Sequence, residues 1–197
     1  MQRAALGFRV HSGWTALVAV TLEKKFPVVL IRRKLQLVKI FSYTFRQPYH
    51  TAEKMPIGDA AEFVRGVEEE SRELATVGIR LVQQELANAD YELSGLSLLL
   101  ASGRELPEFE RILTSHALIH TADGELFRDS VRHAAARCKL PVTAIKERDL
   151  LAAASKSLRL RPDAVSRRIA ALGKSLGPPW TQDEKLSALA AWLTLVQ

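Results

Sequence analysis

AALGFRVHSGWTALVAVTL, residues Ala4 to Leu22, comprises an apolar strand, a Ser12-Gly13 turn and a second apolar strand. Leu6, Phe8 and Val10 alternate with Gly7, Arg9 and His11, and beyond the turn Trp14, Ala16, Val18 and Val20 share one face. This period of two, with little on either face suited to solvent, predicts a hairpin at the heart of a sheet. Glu23-Lys24-Lys25 follows as a polar turn, and Pro27 to Ile31 begins a third strand antiparallel to the second. Arg32-Arg33-Lys34 interrupts the apolar pattern, which resumes at Leu35, Leu37 and Val38 and runs towards Tyr43. The expectation is one long, bent edge strand or two short ones. The basic triplet could hold a phosphate, but protection of a sheet edge from pairing with another chain is the preferred reading.

Further along, Phe45 to Ile57 lacks periodicity and reads as a Pro-containing loop. Asp59 is placed to cap the longest helix, with Glu62 three residues on, and Phe63, Val67, Leu74, Val77, Leu81 and Leu86 form its apolar stripe to about Ala87. Glu68-Glu69-Glu70 point in different directions around that helix and read as a solvated face. Leu96 to Leu100 is an uninterrupted apolar run, as expected of a covered parallel strand. A helix is predicted from Pro107, with Phe109, Ile112 and Leu113 inward. Another is capped by Asp123 and has a small-residue face of Leu126, Val131, Ala134, Ala135 and Cys138. Pro141 to Ile145 is the last strand, followed by helices over Leu150 to Ala154 and Pro162 to Leu172. Thr181-Gln182-Asp183-Glu184 forms a capping box for the final helix, whose buried stripe is Leu186, Leu189, Ala190 and Leu193. The fold class is therefore α/β, a mixed five-stranded sheet with an antiparallel meander and then parallel strands, covered by helices.

At 197 residues and 47% hydrophobic content, the chain is expected to form one domain over residues 1–197. A single cysteine, Cys138, excludes an internal disulfide and a Cys-rich zinc site and points to a reducing, cytoplasmic setting. No run approaches the roughly 20 apolar residues that span a bilayer, so no membrane partner is expected. Of His11, His50, His116, His120 and His133, only His116 and His120 have i, i+4 spacing. With no HExxH pattern and no placed third ligand, no metal site is predicted. The net charge of +6 permits an anionic partner without requiring one. Between Arg128 and Lys174 twelve Lys and Arg face four acids, a local surplus larger than that of the whole chain. Lys156, Arg159, Arg161, Arg167 and Arg168 are the candidate phosphate contacts of a DNA or RNA interface, against the alternative of solvated helix faces. Only Phe127 precedes Trp180 there, which gives base stacking little support.

Leu6-Gly7-Phe8-Arg9-Val10-His11 with Gly13-Trp14, Lys139-Leu140-Pro141-Val142 after the helix from Glu125, Asp163-Ala164-Val165, and Asp183 to Leu193 (DEKLSALAAWL) occur in that order. Together with the strand and helix order they resemble the RNase H-like superfamily, and most nearly the RuvC-type Holliday-junction resolvases and their relatives. The resemblance implies acids from the first strand, the fourth strand and the last helix that hold two divalent cations for phosphodiester cleavage. The chain departs from that pattern. Arg9 stands where the first-strand Asp belongs, Leu100-Ala101-Ser102 where the fourth-strand Glu belongs, and Ser187 where the last-helix Asp belongs. Acidic candidates reduce to Glu105, Asp183 and Glu184, and the capping box already gives the last two a structural use.

The expected function is accordingly a non-catalytic, resolvase-like domain, a pseudo-nuclease with no cofactor, that binds nucleic acid or a protein partner. A homodimer through the long helix from Asp59 is one form of the latter. The alternative is an enzyme, a Mg²⁺- or Mn²⁺-dependent nuclease with displaced ligands Glu105, Asp183 and Glu184.

Overall fold

Alternation places the hairpin where it forms. β1 (Gln2–His11) and β2 (Trp14–Glu23) pair antiparallel from Ala4 opposite Thr21 to His11 opposite Trp14, and Gly13 takes the positive φ of 80° that the tight turn requires. The computed structural model describes residues 1–101 and 105–197. β3 (Phe26–Gln36) is a single strand against β2, irregular between Ala19 and Val20, so the long bent edge is what forms. β4 (Tyr91–Leu100) lies parallel to β1, and β5 (Val142–Lys146) lies parallel to β4. The sheet order is β3-β2-β1-β4-β5, with the hairpin strand β1 at its centre.

Helices cover both faces. α1 (Tyr43–Arg46) and α2 (Pro48–Ala52) replace the expected loop over Phe45 to Ile57; each is a single turn, too short to leave a periodic signal. α3 (Ile57–Asn88) begins two residues before Asp59, which sits in its first turn and does not cap it. Its buried stripe is Ala60, Val64, Val67, Ser71, Ala75, Gly78, Ile79, Val82 and Leu86, whereas Val77 and Leu81 are exposed. Val67 and Leu86 are thus buried as expected, and the rest of the stripe is completed by residues that include small ones, which let α3 approach its neighbours closely. A Cβ on Gly78 would stand 2.8 Å from the Leu35 side chain. α4 (Phe109–Leu113) starts after Glu108, two residues beyond Pro107. α5 (His116–Arg137) starts at His116, and Asp123 lies buried inside it as a partner of α2. Leu126, Val131, Ala134, Ala135 and Cys138 are buried as expected.

α6 (Glu147–Leu158), α7 (Pro162–Leu176) and α8 (Gln182–Val196) follow, the last with its capping box formed. Leu6, Phe8 and Val10 share a core with α3 and α5, while Ala5, Val18 and Val20 share the other with α6, α7 and α8. No helix among the described residues is long and apolar enough to cross a membrane.

Candidate functional site

Gly7 sets the geometry of the site. A Cβ there would lie 1.8 Å from the Ser187 carbonyl oxygen, so only glycine lets α8 rest directly on β1. Two residues further along the same face of β1 comes Arg9, and one turn back along α8 comes Asp183. Glu147, the first residue of α6, enters from the end of β5. Arg9 forks onto Glu147 through Nε to Oε2 at 2.8 Å and Nη2 to Oε1 at 2.9 Å, and its Nη1 donates to Asp183 Oδ1. His11 Nε2 lies 2.8 Å from that same Oδ1; the ionised carboxylate only accepts, so Nε2 carries the proton.

The electrostatics follow from the packing. Glu147, its strongest hydrogen-bond partner, together with Asp183 raises the Arg9 pKa against the opposing effect of burial, so the guanidinium is permanently charged. Burial pushes the Asp183 carboxyl up, but hydrogen bonds and charge from Arg9 and His11 outweigh it and hold the group below its ordinary range. One tethered cation therefore sits between two carboxylates.

Around this cluster opens a cleft of about 610 Å³ lined by Arg9, His11, Arg128, Glu147, Arg148 and Gln182. It lies beyond the carboxyl ends of β1, β4 and β5, where ligands collect in open α/β sheets. Arg128 donates to Glu125 at 2.9 Å, and its Nε has no partner among the described residues. Arg148 is exposed, 3.7 Å from Asp149. On the other side, the His11 ring stacks on Trp14 at 4.4 Å and 11°. The Lys34 ammonium stands 4.2 Å from the Trp14 ring and 5.5 Å from that of Phe41, and the Arg46 guanidinium stands 4.5 Å from Phe41. Cations and aromatic rings thus alternate from Arg9 to Arg46, with Ile40, Phe41 and Tyr43 exposed beside them.

Of the residues singled out from the sequence, Asp183 is in the cluster. Glu184 completes the capping box, its Oε2 accepting the Thr181 backbone N–H at 2.8 Å. Glu105 is exposed and does not bond Arg9. Ser102 of the Leu100-Ala101-Ser102 segment falls outside the described residues.

The five basic candidates lie elsewhere. Lys156 is nine residues along α6 from Glu147, about 13 Å at the helical rise. Arg159 ends that helix in a left-handed conformation. Arg161 and Arg167 both turn to Asp163, at 3.3 and 2.8 Å. Arg168 lies 4.3 Å from the Phe26 ring, at the β2–β3 turn and so at the opposite end of the sheet from Arg9. The triplet of β3 has internal partners: Arg32 bonds the carbonyls of Gly177 and Pro179, Arg33 bonds Glu85, and Lys34 covers Trp14.

Sequence reasoning missed Glu147 and, in the strip of cations and rings, Phe41 and Arg46; it named Lys34 only within the basic triplet that could hold a phosphate. Glu147 was recoverable from its place just after the last parallel strand. The strip joins residues from three separate segments and leaves no local signal.

No protein-family model matches the chain, and no curated protein matches it either. Among solved structures, RuvC of Thermus thermophilus matches over 98% of this chain and 93% of its own, at 11% identity and a TM-score of 0.57. The same protein in complex with a Holliday-junction substrate matches over the same shares, at 10% identity and a TM-score of 0.56. Likeness over nearly the whole of both chains at so low an identity is a likeness of backbone, and it shows that this chain has the RuvC-like form of the RNase H-like fold.

Proposed function

We propose that the chain is a non-catalytic, resolvase-like domain that binds nucleic acid across the Arg9 cleft and the strip from His11 to Arg46. The carrying observation is the guanidinium of Arg9 fixed between Glu147 and Asp183. Hard Mg²⁺ needs free carboxylate oxygens, and here both carboxylates are already bonded to a cation that repels a second one. These residues do not fit the metals of a two-cation nuclease, and no cleavage step runs through them. What the site does offer an anion is Arg148 and Arg128 in the cleft and Lys34 and Arg46 beside Trp14 and Phe41. Phosphates pair with such cations, and the rings of Trp14 and Phe41 hold Lys34 and Arg46 in place beside the cleft. That the similar RuvC structure holds a Holliday-junction substrate supports branched DNA as the first ligand to test.

The competing reading is a Mg²⁺- or Mn²⁺-dependent nuclease using Asp183, Glu184 and Glu105. The test is binding and cleavage of a four-way junction and a plain duplex at two salt concentrations, with Mg²⁺ or Mn²⁺ present and absent. We expect binding that weakens steeply with salt, no requirement for metal and no cleavage. Metal-dependent cleavage that Asp183→Ala abolishes would establish the nuclease instead. Silence towards both DNAs at both salts would transfer the role to a protein partner, a second copy of the chain included.

A further inference from the structure

Three histidines converge on a place the nucleic-acid reading does not use. His50 is in α2, His116 opens α5 and His120 follows one turn later. The ring centroids are separated by 4.4 Å (His50 to His120), 4.5 Å (His116 to His120) and 5.2 Å (His50 to His116), with the rings edge to face. Nε2 of His116 and Nε2 of His120 are 3.1 Å apart, and one ligand nitrogen from each of the three lies within 4.8 Å of the others.

Behind them lies Asp123, on the same face of α5 and only 2% exposed. It accepts the Tyr49 backbone N–H at 2.8 Å and a hydrogen bond from His50 Nδ1. That bond keeps the His50 proton on Nδ1 and leaves Nε2 as the electron-pair donor, the arrangement that carboxylates impose on metal-binding histidines.

We propose that His50, His116 and His120 hold a transition-metal ion of the zinc class, with Asp123 as the positioning residue behind His50 and a fourth position open to water. Neutral imidazoles suit zinc, copper and nickel, not magnesium. Zinc–nitrogen bonds of about 2.0–2.1 Å in a tetrahedron set the donor nitrogens about 3.3 Å apart. The His116–His120 spacing is already close to that value. His116 and His120 are exposed, while His50 is buried and held by Asp123. The ion would clip α2 to α5, two elements far apart in sequence. His116–His120 spacing alone gave no third ligand; folding supplies it from residue 50.

The experiment uses tag-free, chelator-stripped protein titrated with Zn²⁺ by calorimetry and with Co²⁺ by visible absorption. One Zn²⁺ per chain and the intense bands of four-coordinate Co²⁺ are expected. His120→Gln and His116→Gln, both at exposed positions, should each weaken Zn²⁺ binding by more than about a hundredfold. Asp123→Asn should weaken it about ten- to a hundredfold, and His133→Gln should leave it unchanged. No Zn²⁺ uptake by the folded wild-type chain, or uptake that His120→Gln leaves intact, would overturn the proposal.

Discussion

Arg9 gives three of its nitrogens to two carboxylates, Glu147 and Asp183. Asp183 is the sensitive member, since it also accepts from His11. In the folded chain its carboxyl is held below the ordinary range, so its contribution is complete above about pH 4 and is lost as pH falls through the lower folded value. Asp183→Asn should therefore cost about 1–2 kcal/mol at pH 7, the scale of a partly exposed charge-assisted hydrogen bond. Urea denaturation between pH 7 and pH 2 checks this: the two proteins should converge in stability under acid. A constant gap across that range would mean that the carboxylate's charge contributes nothing.

α8 is held against β1 by the absence of one side chain. Gly7→Ala would drive a methyl group into the Ser187 carbonyl, and since backbone cannot rotate away as a side chain can, the helix must lift. The expected loss is about 2–3 kcal/mol, the upper range for overpacking, together with a loosened Arg9–Asp183 contact visible as faster hydrogen exchange at the start of α8. The hairpin, the covered parallel strand and the capping box of α8 were all legible in the sequence, because each is written within one continuous stretch of chain. α3 was legible in extent and, at Val67 and Leu86, in its buried stripe. Val77 and Leu81 are exposed instead, because the packing face is completed by Ala60, Ala75 and Gly78, whose value lies in their smallness. Asp123 failed for a related reason: a helix-starting residue type acquired its use from Tyr49 of α2, 74 positions away. At the site, Asp183 was visible through its helix and Lys34 through its basic triplet, whereas Glu147 became a functional candidate only when folding brought the end of β5 beside Arg9.

Across the molecule, basic side chains divide between two ends of the sheet. Arg148, Lys34 and Arg46 adjoin the Arg9 cleft, whereas Arg168, with Lys24 and Lys25 nearby, adjoins the β2–β3 turn. These ends should behave differently towards DNA. Lys34→Ala should weaken junction binding and reduce the salt slope by about one, while Arg167→Ala, whose charge already faces Asp163, should leave both unchanged. Filter-binding over a salt series separates the two, and weakening by Arg167→Ala with none by Lys34→Ala would place the interface at the α6–α7 end. The tether on Arg9 has a consequence for the molecule as a whole. A dissolved ion exchanges, competes with its neighbours and can be stripped by a chelator; a guanidinium rooted in the central strand does none of these. On the proposed reading, the shape and charge of the cleft do not depend on how much free magnesium surrounds the protein, so its grip on an anion is always in the ready state.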